Sequence, residues 1–92
     1  MKTLSLHVIG KVQGVWFRKH TQETALQLGL CGTVENCSDG SVQIIATGTE
    51  EQLNQLVKWC QQGPPRAEVK TVLLKEIPLT TFECFRIIRH FL

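Results

Sequence analysis

The segment GKVQGVWFR, from Gly10 to Arg18, connects a predicted strand to a predicted helix and decides how the chain turns back on itself. Gly10 and Gly14 lack a Cβ and adopt positive φ readily, so the backbone between them can curl with several N–H groups pointing inward. These donors precede a helix N-terminus, whose unpaired amides also favour an anion. Arg18 adds a planar fork of donors that matches two phosphate oxygens. The segment predicts an anion site, and the alternative is a plain connection with a surface arginine.

The residues on either side of this segment show first the period of a strand and then that of a helix. Before it, apolar residues recur at every second position, which indicates a strand with one buried face: Leu4, Leu6 and Val8. After it, a set of residues recurs at helical spacing: Phe17, Thr21, Ala25 and Leu28. Gly29 is expected to end this helix in the left-handed conformation.

The rest of the chain repeats this pattern with a hairpin placed first. From Gly32 a segment of mixed β propensity reaches Asp39-Gly40, a dipeptide typical of tight hairpins, and residues 42–46 then alternate again. Thr49 and Gln52 form a capping-box pattern that opens a second helix. That helix is expected to end at residues 63–65, before a fourth strand over 67–73 and a short closing strand over 85–88.

The element order βαββαβ predicts an α+β, ferredoxin-like sandwich, in which two helices cover one face of an antiparallel sheet. The 92 residues contain no repeat, linker or low-complexity segment, so we expect a single domain spanning residues 1–92. The same architecture hosts enzymes, RNA-binding modules and regulatory modules. The function must therefore be inferred from the site.

Two segments resemble the signatures of the acylphosphatase family. GKVQGVWFR resembles one signature, and GTVENCSDGSVQI, from Gly32 to Ile44, resembles the other, in which an asparagine near the end of a strand precedes a hairpin. The chain length, the element order and the closing FRI at Phe85 to Ile87 also fit. The resemblance implies a small cytosolic enzyme that hydrolyses the carboxyl-phosphate bond of small acyl phosphates, releasing a carboxylate and inorganic phosphate.

The resemblance also implies the roles of the site residues. Arg18 is expected to bind the phosphate and Asn36 to orient the attacking water. The loop amides that are expected to help bind phosphate belong to Gly10, Lys11, Val12, Gln13, Gly14 and Val15. The leaving carboxylate has a conjugate acid of pKa about 4 and departs without a general acid. The residue types alone leave another interpretation for Asn36, a turn residue three positions before Asp39.

Charge and hydropathy exclude several other classes of protein. The formal net charge is +2 and the charged residues are scattered, so we expect no nucleic-acid partner and no membrane partner. The N-terminus has no continuous apolar core of a signal peptide, which favours the cytoplasm. A monomer is the default for a chain of this size. The start methionine and compact length disfavour a domain cut from a larger carbamoyl-phosphate-using protein.

The cysteines and histidines predict neither a metal site nor a cofactor. The four cysteines show no CxxC pair, and we expect reduced thiols that mostly fill the core: Cys31, Cys37, Cys60 and Cys84. The three histidines lie on different predicted elements without paired ligand spacing: His7, His20 and His90. Cys37 directly follows Asn36 and could therefore lie near the site.

A second hypothesis is a non-catalytic ferredoxin-like module that binds phosphate-bearing ligands or RNA. The presence of both Arg18 and Asn36 favours the enzyme, because a pure anion binder does not need the asparagine. The chain has no tyrosine and its predicted central strands carry no aromatic residue, which disfavours RNA. Trp16 either lines the acyl pocket or packs at the start of the helix, and we expect packing.

Overall fold

The structure is a computed structural model that describes residues 1–89, so His90 lies outside the described residues. The elements are β1 (Lys2–Lys11), α1 (Phe17–Leu28), β2 (Cys31–Asn36), β3 (Val42–Gly48), α2 (Glu50–Gln62), β4 (Glu68–Ile77) and β5 (Phe85–Ile88). Every element expected from the sequence is present, although β4 extends further than the alternating residues indicated. None of the helices in residues 1–89 is long and apolar enough to cross a membrane.

The strands form one sheet in the order β4-β1-β3-β2-β5, with the two helices packed on it. The pairs β4-β1, β1-β3 and β3-β2 are antiparallel, as the ferredoxin-like prediction requires. The closing strand β5 lies beside β2 and runs parallel to it, which makes the five-stranded sheet mixed. The predicted α+β fold is confirmed, with this parallel edge strand added to its antiparallel part.

The side chains of β1 point alternately to the two faces of the sheet. Leu6 and Val8 are fully buried, and they pack in one core with the apolar face of the helices. His7, between them, is only half-buried and points to the opposite face of the sheet. On the helix side, the ring of Phe17 packs against that of Trp59, with centroids 5.4 Å apart. Phe17 thus anchors the first turn of α1 to α2.

The local signals that end and begin the helices are confirmed. Gly29 follows α1 with φ 79°, in the left-handed region that Gly favours. At the start of α2, the Thr49 side chain accepts a hydrogen bond from the Gln52 N–H, and the Gln52 side chain accepts one from the Thr49 N–H. Such reciprocal capping satisfies two N–H groups that a helix leaves unpaired.

Glycine is required at position 10 because the backbones of β1 and β4 approach each other closely there. Its φ is 142°, and the pairing of β1 with β4 shifts register between Ile9 and Gly10. A Cβ at this position would lie 2.2 Å from the carbonyl oxygen of Glu68 and 2.7 Å from the nitrogen of Lys70. Only glycine allows this close approach of two backbones.

The cysteines are free thiols, but the expectation that they mostly fill the core is wrong. Only Cys60, on the inner face of α2, is buried, and burial raises the pKa of its thiol to about 12. Cys31, the first residue of β2, and Cys37, directly after its end, are half-buried, and Cys84 is exposed just before β5. Strand ends and connections leave side chains partly in solvent, which the one-dimensional pattern did not show.

Candidate active site

A pocket of about 160 Å³ opens where the β1–α1 connection, the start of α1, the end of β2 and β5 meet. Its lining includes Val12, Gly14, Trp16, Arg18, Asn36 and Arg89. Three cationic side chains contribute to it, from Arg18, Lys19 and Arg89, and no carboxylate does so among residues 1–89. A small site lined by cations without a compensating acid suits a small anion.

The β1–α1 connection, residues 12–16, ends in an unusual backbone conformation. Trp16 has φ 64° and ψ 21° and is the residue before the first turn of α1, with no side-chain cap. A bulky residue in the left-handed region costs free energy, and such residues often lie at functional sites. The N–H groups of residues 12–15 donate no hydrogen bond to another described residue. They are therefore available to an anion at this helix N-terminus.

Arg18 contributes an unpaired guanidinium to the pocket. The side chain is half-buried, and it forms no ion pair and no hydrogen bond with any described residue. A partly buried cation is normally paired. The five N–H donors of Arg18 are thus available for an external ligand, and their planar arrangement matches two oxygens of a phosphate.

Asn36, the last residue of β2, lines the same pocket and carries an unpaired acceptor. Its Oδ1 is buried and makes no hydrogen bond with a described residue. An unsatisfied buried polar atom costs about 1–3 kcal/mol, and native structures contain few of them. The side-chain amide can accept through this oxygen and donate through its NH₂ group. It therefore has the donor and acceptor capacity that orienting a water molecule requires.

The Gln13 side chain joins the β1–α1 connection to the β2–β3 turn, residues 37–41. Its Nε2 donates to the carbonyl oxygens of Cys37 and Ser41, at 2.8 Å each. These bonds tie the loop that precedes Arg18 to the turn that follows Asn36. They are expected to keep the two halves of the pocket at a constant separation.

The structure brings some of the predicted site residues together and places others beside the pocket. Arg18, Asn36, Val12 and Gly14 line it. Gly10 and Lys11 belong to β1, where Lys11 is exposed. Val15 is 8% exposed and belongs to the hydrophobic core. Gln13 forms its contacts through its side chain and not only through the backbone amide that was predicted to bind phosphate.

The expectation that Trp16 packs at the start of the helix is wrong. Trp16 is 67% exposed and lines the pocket, whereas the neighbouring Phe17 occupies the buried position against α2. The pocket is also lined by Lys19, Ile87 and Arg89, which were not predicted from the sequence. Ile87 and Arg89 come into place because β5 pairs with β2, aligning Ile87 with Val34. No local spacing signal indicates that contact.

Comparisons of the sequence and of the structure with known proteins point to the same family. A family model described as acylphosphatase matches residues 4–87. A curated acylphosphatase of Synechococcus sp. is 53% identical over 76 residues, which cover 83% of this chain and 84% of that protein. Among solved structures, an acylphosphatase from Coxiella burnetii superimposes with a TM-score of 0.92 and 37% identity, covering 95% of this chain and 92% of that one. An acylphosphatase from Bacillus subtilis superimposes with a TM-score of 0.93 and 34% identity, covering 97% of this chain and 100% of that one.

Proposed function

This chain belongs to the acylphosphatase family, and we propose that Arg18 and Asn36 carry out its hydrolysis of acyl phosphates. The enzyme cleaves the carboxyl-phosphate bond and releases a carboxylate and inorganic phosphate. One observation carries the assignment of the two residues. The same small pocket is lined by Arg18, which is half-buried and has an unpaired guanidinium, and by Asn36, whose amide oxygen is buried and unpaired.

Phosphate binding is assigned to Arg18 and the N–H groups of the β1–α1 connection. The guanidinium donates to two equatorial oxygens of the phosphoryl group, and the amides of residues 12–15 donate to the remaining charge. Phosphoryl transfer depends mainly on positioning and on stabilising the charge that spreads over these oxygens. The cationic lining supports this assignment, since it concentrates positive charge around the transferred group.

Water orientation is assigned to Asn36. Its Oδ1 accepts a hydrogen bond from the attacking water, whose oxygen forms the new bond to phosphorus in line with the leaving carboxylate. The P–O bond to the acyl group breaks and its electron pair goes to the carboxylate. The proton of the water passes to a phosphate oxygen of the substrate. No protein base is required, in agreement with a pocket lined by no carboxylate among residues 1–89.

We expect hydrolysis to continue at an unchanged rate after exhaustive chelation, because Arg18 and the amides supply the charge stabilisation that a metal would otherwise supply. The measurement follows the loss of a chromophoric acyl phosphate by the purified chain, with and without chelator. Activity that disappears on chelation and returns with a divalent ion would contradict the assignment.

We expect inorganic phosphate to be a competitive inhibitor and a specific stabiliser, because the product occupies the site of the phosphoryl group. A ligand at about a hundred times its Kd adds about 2.7 kcal/mol to the free energy of unfolding. In a domain of this size, each kcal/mol raises Tm by roughly 4–8 °C. The measurement compares Tm in phosphate, sulfate and chloride at matched ionic strength.

Two glutamine variants, one in the pocket and one outside it as a control, test whether the shift in Tm comes from this pocket. Arg18→Gln should lose most of the phosphate-specific shift, whereas Arg66→Gln, at an exposed arginine in the α2–β4 connection, should keep it. Equal Tm shifts in phosphate and chloride for the natural chain would contradict binding at this pocket.

We also propose a domain organisation, an oligomeric state and a compartment for this enzyme. Residues 1–92 act as one domain and as a monomer, on a small acyl phosphate and without a nucleic-acid or membrane partner. The family match over residues 4–87 supports the single domain. The four free thiols support a reducing compartment, the cytoplasm.

A further inference from the structure

Three side chains of metal-ligating type come together on the side of the sheet away from the helices. His7, Cys37 and Asp39 each offer one ligand atom, and these three atoms lie within 4.8 Å of one another. His7 and Cys37 are half-buried, and the Asp39 side chain is 65% exposed. Among residues 1–89, this is the only group of three histidine, cysteine or acidic side chains with such a geometry.

Strand pairing explains how residues thirty positions apart meet. β3 lies between β1 and β2, with His7 opposite Gln43 and Asn36 opposite Val42. The turn that follows Asn36 therefore passes within reach of the His7 side chain. Because successive residues of an extended chain point to opposite faces, Asn36 faces the phosphate pocket while Cys37 faces His7. None of the three ligand residues lines the pocket.

We propose that His7, Cys37 and Asp39 form a zinc site on the face of the sheet opposite the helices, separate from the phosphate pocket. Imidazole nitrogen, thiolate sulfur and carboxylate oxygen are the ligand types that Zn²⁺ binds in proteins. With metal–ligand bonds of about 2.0–2.3 Å in tetrahedral geometry, ligand atoms are separated by roughly 3.5 Å. The cluster contracts to this separation by rotation of the exposed Asp39 side chain and the half-buried His7 ring. Water takes the fourth position.

Ser41 holds the cluster together before a metal binds. Its Oγ contacts His7 Nε2 and donates to Asp39 Oδ1, and its backbone N–H donates to the same carboxylate oxygen. Both hydrogen bonds from Ser41 reach the Asp39 carboxylate, so this side chain is kept beside the His7 ring.

The turn that would hold the metal is also the turn that Gln13 ties to the β1–α1 connection. Zinc is therefore expected to stabilise the folded chain by binding it in preference to the unfolded chain. It is not expected to be required for hydrolysis, because it lies behind Asn36 and away from the transferred phosphate.

The test uses Co²⁺ as a spectroscopic probe and Zn²⁺ as its competitor, on the full reduced chain. We expect one Co²⁺ per chain, a thiolate-to-cobalt charge-transfer band in the near ultraviolet, and displacement by Zn²⁺. Cys37→Ser should lose the band, and His7→Gln and Asp39→Asn should each weaken binding by at least about tenfold. Cys84→Ser, at an exposed thiol outside the cluster, should keep the band. Arg18→Gln should keep it too, so the result is independent of the proposed function.

A second measurement needs no variant. In the natural chain, Zn²⁺ should protect Cys37 from alkylation, while the exposed Cys84 should react at an unchanged rate as an internal control. A natural chain without a charge-transfer band overturns the proposal. So does a band that survives Cys37→Ser, or a Cys37 that alkylates equally fast with and without Zn²⁺.

Discussion

Replacement of Arg18 by lysine is expected to lower kcat/KM by at least about a thousandfold, the scale on which a transition-state arginine acts in phosphoryl transfer. At 1.36 kcal/mol per factor of ten, this is a loss of about 4 kcal/mol of transition-state stabilisation. Lysine keeps the charge but loses the planar fork, and a point charge cannot donate to two phosphate oxygens in fixed geometry. Arg18 is unpaired and half-buried at the pocket, so no internal partner compensates for the change.

The matched control is Arg66→Lys, which makes the same substitution at an exposed position outside the pocket. Its turnover and phosphate inhibition should equal those of the natural chain. Arg18→Lys itself should melt at nearly the natural Tm, because the arginine makes no ion pair or hydrogen bond with residues 1–89 that the change could break. Near-normal turnover in Arg18→Lys would refute the role assigned to this residue.

Local chemistry in the sequence accounts for most of the fold. The alternation around Leu6, the left-handed Gly29 and the capping box at Thr49 each depend on near neighbours, and each was confirmed. The parallel pairing of β5 with β2 was not predicted, since register between distant segments depends on which faces remain to be covered. For the same reason the packing of Trp16 was predicted wrongly, because Phe17 rather than Trp16 occupies the buried position against Trp59.

The candidate site likewise has local features that the sequence predicts and non-local features that it does not. The residue types of the glycines and Arg18 are enough to indicate an anion loop. They did not distinguish a catalytic Asn36 from a turn residue, and only the resemblance to a family did so. The physical signature of Asn36, a buried oxygen without a partner, exists only in three dimensions. The hydrogen bonds of Gln13 to the β2–β3 turn are likewise non-local. So is the cluster at His7, which spacing along the chain argued against.

Replacement of Asn36 by alanine is expected to lower kcat by about 100- to 1000-fold, the effect of removing one preorganised polar group from a transition state. Competitive inhibition by phosphate should change little, because Arg18 and the loop amides remain. Water is positioned chiefly in the transition state, so the loss should appear in kcat and equally in kcat/KM. Steady-state kinetics with a chromophoric acyl phosphate measure this division.

Stability distinguishes a catalytic Asn36 from a structural turn residue. A turn residue makes hydrogen bonds in the folded chain and lowers Tm when it is truncated, whereas Asn36 Oδ1 is buried without a partner among residues 1–89. Asn36→Ala is therefore expected to melt at the natural Tm or slightly above it while losing activity, because the change removes a buried oxygen that has no partner. Asn36→Asp, which keeps an acceptor but loses the NH₂ donor and adds a negative charge beside the phosphate, should also be inactive.

The matched control Asn54→Ala, at an exposed position on α2, should keep full activity. A lowered Tm with intact kcat in Asn36→Ala would make this asparagine a turn residue after all, and the water would need another partner in the pocket.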